Sequence, residues 1–214
     1  MHILYHVIQY NWEGGIAIPT TTRISKDMIL DTAFSIAREE GIDNVSNRLI
    51  AKRLNSSIRP IYYQFKNSKE LKFELKRKIE EYFYSYITED IDKYFPMYKQ
   101  IGIRYIMFAK EECNLFKTLF MSESDFFAED FVTHDENYKR VFEMIKISTN
   151  LDDSEIKNFH IKMWIFTHGI GALVANKTVD FSEKQIKDLL SYEFQALMLL
   201  EENPNNKWVI KEEK

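Results

Sequence analysis

"VSNRLIAKRLNSSIRPIYYQFKNSK", residues 45–69, carries six Lys or Arg and no Asp or Glu. The chain around it is mildly acidic, with 29 basic and 33 acidic side chains among 214 residues and a formal net charge of −4. The local pattern explains the contrast. Ser46 is placed to cap a short helix, NRLIAKRL, which turns Leu49, Ile50 and Leu54 inward and Arg48, Lys52 and Arg53 outward, Arg53 being either solvated or ion-paired. Asn55 follows, a residue that tolerates the left-handed region. Ser57 is placed to cap a third helix, with Pro60 in the first turn, where a missing N–H is harmless. Ile61 and Phe65, four apart, share its inner side. That leaves Arg59, Tyr62, Tyr63 and Lys66 facing out or sideways, with Tyr62 open to a core or a surface role. A fourth helix opens at Asn67, and Glu70 stands three residues on as its capping-box partner.

Upstream, ISKDMILDTAFSIAREEG reads as a helix capped by Ser25, with Asp27 in its first turn and Gly41 at its end. Ile29, Leu30, Ala33, Phe34 and Ala37 fall on one face of it. Helix, short turn and helix make the arrangement whose second helix enters the DNA major groove. A carboxylate on that surface would face phosphates, whereas each Lys or Arg releases a condensed counterion. This accounts for the carboxylate-free window.

Charge divides the chain. Residues 23–72 hold ten basic and six acidic side chains, and residues 73–214 hold 19 and 26. Opposite balances suggest two jobs. Glycine (6) and proline (4) are scarce, which favours helices over strands and tight turns. A single cysteine, Cys113, forms no internal disulfide and fits a reducing cytoplasm as a small core residue. No apolar run reaches the roughly 18 residues a membrane helix needs. Residues 1–22 read as an N-terminal arm or an upstream extension.

The stretch ILDTAFSIAREEGIDNVSNRLIAKRLNSSIRPIYYQFKNSKEL closely resembles the DNA-binding domain of the tetracycline-repressor (TetR) family of bacterial transcription regulators, over residues 24–75. The resemblance implies that Asn47 and Arg48 touch phosphate or a base edge. It places Ser57, Ile58, Arg59 and Pro60 at the start of the recognition helix, and makes Tyr62 and Tyr63 the aromatic pair that binds backbone phosphates. Where the family often has a lysine, this chain has Ser68, so that phosphate contact moves to Lys69 or Lys66. Ile58 stands at a commonly polar position and would meet a thymine methyl.

Residues 73–214 hold 24 of the 31 aromatic side chains. Their helical stretches are SKELKFELKRKIEEYFYSYITEDIDKYF, unbroken to Pro96, then YKQIGIRYIMFAKEECNLFKTLFM, ENYKRVFEMIKIS, DDSEIKNFHIKMWIFTHGIGALVAN and SEKQIKDLLSYEFQALMLLEEN. Asp152 or Asp153 and Ser182 are N-caps for the last two. SESDFFAEDFVTHD is a loop or a short helix. Aromatics fill helical cores, and they also line pockets. YIMFAKEECNLFKTLFM with WIFTHGIGAL resembles a Trp…His-Gly ligand-domain subtype of the same family, here Trp164, His168 and Gly169. Tyr105, Phe108, Phe116, Phe120, Phe142, Trp164 and His168 are the candidate ligand-contacting residues, His168 having a core role as its other reading. Gly169 and Gly171 would let another helix approach closely. Apolar residues on more than one side of the last two helices call for a partner. The resemblance implies that these helices form a four-helix homodimer interface, matched to a palindromic operator.

No catalytic constellation stands out. There is no phosphate-cradling glycine loop and no Glu-x-x-His pair. His134, Asp135 and Glu136 are metal-capable but read as solvated, so neither a metal site nor a cofactor is expected. The expectation is an all-α chain with an arm (1–22), a three-helix helix-turn-helix domain (23–72) and a larger helical domain for ligand binding and dimerisation (73–214). It would be a cytoplasmic repressor of double-stranded DNA released by a small apolar effector. A helical carrier or enzyme using the aromatic cavity, or an adaptor on the same fold, are the alternatives.

Overall fold

The structure, a computed structural model, describes residues 24–92, 94–121 and 136–202; the side chains of 136–138, 201 and 202 are not part of that description. The arm at 1–22 and the segment SESDFFAEDFVTHD, with His134 and Asp135, lie outside the described residues. Among those residues the chain is all helical: α1 (Lys26–Glu40), α2 (Asn47–Arg53), α3 (Arg59–Gln64), α4 (Ser68–Thr88), α5 (Met97–Glu111), α6 (Cys113–Phe120), α7 (Glu136–Ser148), α8 (Asp153–Ala175) and α9 (Glu183–Glu202).

The short N-terminal helices are fixed by their ends. Ser25 Oγ accepts the Met28 N–H at 3.1 Å, and Gly41 closes α1 at φ +89°. Ser46 Oγ caps α2 through the Leu49 N–H. Asn55 ends α2 at φ +48°, with its own N–H on the Lys52 carbonyl and that of Ser56 on the Ala51 carbonyl. That paired pattern satisfies two otherwise orphaned carbonyls. Ser57, by contrast, does not cap α3. Ile58 holds the N-cap position without a side-chain bond. Pro60 has no N–H to satisfy, so the first turn needs less capping. Asn67 Oδ1 accepts the Glu70 N–H at 2.9 Å, while the Glu70 carboxylate returns to the Lys66 N–H rather than to that of Asn67.

Helix α4 carries the core from one half to the other. Leu71, Leu75, Ile79, Phe83 and Ile87, each four residues from the last, are all buried. The helix ends at Thr88, short of Pro96. Asp90 takes φ +51° there. Carboxylates at Glu89 and Asp90 oppose the negative end of the helix dipole, and Asp tolerates the left-handed region.

The stretch read as one helix across 98–121 is two, broken at Glu112 (φ −118°, ψ 46°). The Glu112 side chain, 4% exposed, accepts two hydrogen bonds from the Arg38 guanidinium, one of them 2.7 Å from Nε, and a third from the Tyr82 hydroxyl at 3.0 Å. Two residues on, Asn114 Nδ2 donates to the carbonyls of Arg38 and Glu39. The start of α6 therefore grips the C-terminus of α1.

Helix α5 packs along α8 and α9. A Cβ on Gly171 would stand 3.0 Å from Phe116 Cζ, and one on Gly102 3.3 Å from Leu190 Cδ1. At Gly169 nothing among the described residues lies within 4 Å of the corresponding point. It sits on the outer side of α8.

Replacing Glu112 by Gln should cost about 1–3 kcal/mol, the value of charge-assisted bonds to a buried group. The loss in urea unfolding should be strongly non-additive with that of Arg38→Ala. Additive losses would mean that the two side chains do not hold each other.

Candidate functional site

The basic window forms an outward surface. Arg48, Lys52, Ser57, Arg59, Lys66 and Lys69 are exposed, and Asn47 and Pro60 are half-buried. Ile58 is 41% exposed, Tyr62 59% and Tyr63 85%, which settles Tyr62 as a surface residue. Ile61 and Phe65 are buried beneath them and anchor α3 and its end. Arg53 is the exception among the cations. It pairs with Glu39, at 2.7 Å, and with Glu40 at the end of α1. The side-chain cations of Arg48, Lys52, Arg59, Lys66 and Lys69 have no carboxylate partner among the described residues. Their charge is directed at solvent, the arrangement that phosphates would reward.

Residues 29–75 match the family model described as "Bacterial regulatory proteins, tetR family". The chain carries a TetR-family N-terminal domain. The whole fold extends the likeness. A transcriptional regulator from Rhodococcus sp. RHA1 superposes with a TM-score of 0.56 at 13% identity, covering 82% of this chain and 97% of that one. A TetR-like transcriptional regulator from Rhodococcus sp. RHA1 gives a TM-score of 0.54 at 14% identity, covering 85% and 96%. At such identities the likeness is one of fold. Among curated proteins none matches the chain in sequence.

Behind the TetR-type domain, a cavity of about 450 Å³ opens between α5, α7, α8 and α9. Ile101, Gly102 and Tyr105 of α5 face Met163, Trp164 and Thr167 of α8, and Leu190 and Phe194 of α9 close the far side. The size falls within the roughly 300–1,000 Å³ of small-molecule sites. Of the seven side chains read from the sequence as ligand contacts, Tyr105 and Trp164 line this cavity. Phe108, Phe116 and Phe120 pack instead as an aromatic layer with Phe83, at centroid distances of 5.1 Å for Phe83–Phe108, 5.1 Å for Phe83–Phe120 and 5.0 Å for Phe116–Phe120. His168 lies between the rings of Trp164 (5.1 Å) and Phe116 (6.0 Å), with the Tyr105 hydroxyl 3.0 Å from its Nδ1. Phe142 is half-buried on α7 under the Lys146 ammonium, 5.7 Å from the ring centroid.

The lining also includes Tyr98, Lys99, His160 and Gln195, none of them marked by sequence reasoning. Only His160 had a readable signal. It shares a helical stripe with Trp164 and His168 at spacings of four. Tyr98 OH and His160 Nδ1 are joined at 3.1 Å. Burial pushes the His160 pKa down to about 4 and lowers that of His168, and it raises both tyrosines. Both imidazoles are therefore neutral at pH 7. Among the described residues no three His, Cys, Asp or Glu side chains stand close enough to hold a metal ion, and no helix is long and apolar enough to cross a membrane.

Neutral His160 makes stability pH-dependent. The unfolded chain takes up the proton below about pH 6.5, and the folded chain only near pH 4. Stability should therefore fall as pH drops from 6.5 to about 4, by up to roughly 3 kcal/mol, and this slope should flatten below. Urea unfolding of His160→Asn across that window should show a shallower slope. An unchanged slope would place the proton uptake elsewhere.

Proposed function

We propose that this chain is a ligand-responsive transcriptional regulator, a repressor that binds a palindromic operator as a homodimer and is released by a small apolar molecule. Residues 23–72 form the DNA-binding domain, and residues 73–214 bind the effector and the second subunit. The observation that carries the reading is the row of unpaired cations and exposed tyrosines on α2, α3 and the start of α4, in a TetR-type domain where, of the cations in 45–69, Arg53 alone is ion-paired. In this reading Ser57, Ile58, Arg59 and Pro60 reach base edges. Asn47, Arg48, Tyr62, Tyr63, Lys66 and Lys69 hold phosphates and fix the register.

Dimerisation is supported by two apolar stripes without cover. Ile165, Gly169 and Leu173 on α8 and Tyr192, Ala196 and Leu200 on α9 repeat every four residues on exposed faces. Release is supported by connection. Ligand and DNA must each favour a different arrangement of the same helices, and the effect is limited by the difference in affinity. Helix α4 and the Arg38–Glu112 contact are the parts shared by the two halves.

Fluorescence anisotropy on DNA flanking the chain's own gene is the direct test. Affinity should fall by about 10³–10⁵ between roughly 50 and 200 mM salt if six to ten phosphates are held. Arg59→Ala should lose about 1–3 kcal/mol on that duplex and little on an unrelated one. Equal weak binding to both duplexes, unchanged by Arg59→Ala, would leave a helical carrier or enzyme as the better reading. In sedimentation, the wild type should run as a dimer and Leu173→Glu as a monomer.

A further inference from the structure

The cavity wall has few hydrogen-bond donors left for a guest, and what remains is cationic at one end. Its hydroxyls are already committed. Thr167 Oγ1 donates to the Met163 carbonyl, Ser148 Oγ to that of Met144 and Ser191 Oγ to that of Lys187. The Tyr98 hydroxyl is joined to His160, and the Tyr105 hydroxyl to His168. Two lining side chains remain uncommitted among the described residues, Lys99 and Gln195. No Asp or Glu stands among the described lining residues, so nothing in the wall neutralises the Lys99 ammonium.

Both uncommitted side chains line the same cavity, Lys99 half-buried on α5 and Gln195 exposed on α9. Lys110 Nζ reaches the Phe181 carbonyl at 2.9 Å, and Gly102 faces Leu190. Helices α5 and α9 thus run antiparallel. One turn back from Gly102 brings Lys99 toward the level of Phe194 and Gln195. A cation in the first turn of a helix is also unfavourable against the dipole, and an anion there would relieve it. With the His160 imidazole neutral, Lys99 is the one charged side chain among the described lining residues.

We propose that the effector is an apolar carboxylic acid, its body held by Ile101, Met163, Trp164, Leu190 and Phe194 and its carboxylate by the Lys99 ammonium and the Gln195 amide. The proposal rests on the regulator reading only in calling the guest an effector; the binding chemistry stands without DNA. A neutral molecule of the same shape would leave Lys99 without a counter-charge. A cationic one would be repelled.

Calorimetric titration of the full chain, without DNA, with decanoate, decanol and decylammonium tests it. Decanoate should bind at least about tenfold tighter than decanol, the size expected of one charge-assisted bond, and decylammonium weakest. Lys99→Met should abolish the preference for decanoate over decanol, Lys99→Arg should retain it, and Gln195→Leu should reduce it. Lys99→Gln is the second neutral variant should Lys99→Met alter the fold, which circular dichroism and thermal melting check. Decanol binding as tightly as decanoate, a preference that survives loss of the charge, or no binding by any of the three would overturn the proposal. Because operator binding is measured separately, any of those results would leave the DNA-binding reading standing, and loss of operator binding would leave this one standing.

Discussion

A buried carboxylate with its partners on other helices is the constraint on which the arrangement depends. Glu112 has an almost fully covered side chain and three donors, two from Arg38 on α1 and one from Tyr82 on α4. Such a group is costly to leave unpaired, so the three helices cannot separate without exposing it or stranding it. Its position also sets the break between α5 and α6. That break lets Asn114 turn toward the last carbonyls of α1. The attachment of α1 to the rest therefore adds a polar, geometrically specific contact to the apolar core that α4 carries through both halves.

Beyond that attachment, the two regions use charge in opposite ways. On the surface of α2 and α3 the cations are left unpaired, and the carboxylates that could quench them, Glu39 and Glu40, are engaged by Arg53 alone. Inside the C-terminal helices burial keeps His160 and His168 neutral at pH 7, and each is hydrogen-bonded to a tyrosine hydroxyl. One surface offers fixed charge to a polyanion. The other encloses a cavity whose described lining is mostly apolar and holds one cation, Lys99.

Much of the N-terminal region was legible from residue spacing. Ser25, Ser46 and Asn67 cap their helices, Asn55 takes the left-handed turn, and Ile61 with Phe65 forms the inner side of α3. These features depend on neighbours three or four residues away, which the sequence states directly. The failures there are also local. Ser57 lost its capping role to a helix with proline in its first turn, and α4 stopped at Thr88, ahead of the left-handed Asp90, rather than running on to Pro96.

The cavity was legible only in part, for a different reason. Periodicity shows which residues share a helix face, but not which of two apolar faces meets a hole and which meets a ring. Tyr105 and Trp164 reached the wall, while Phe108 and Phe116, equally aromatic, packed on Phe83 and Phe120 respectively. Tyr98, Lys99 and Gln195 joined the wall because α5 and α9 run antiparallel at the spacing set by Gly102 against Leu190. By itself the sequence determined the helices, their caps and the carboxylate-free basic face, since those follow from local backbone and side-chain chemistry. Only the tertiary structure decided where the α5–α6 break falls, which cations stay unpaired and what lines the cavity, because each depends on groups far apart in the chain meeting in space.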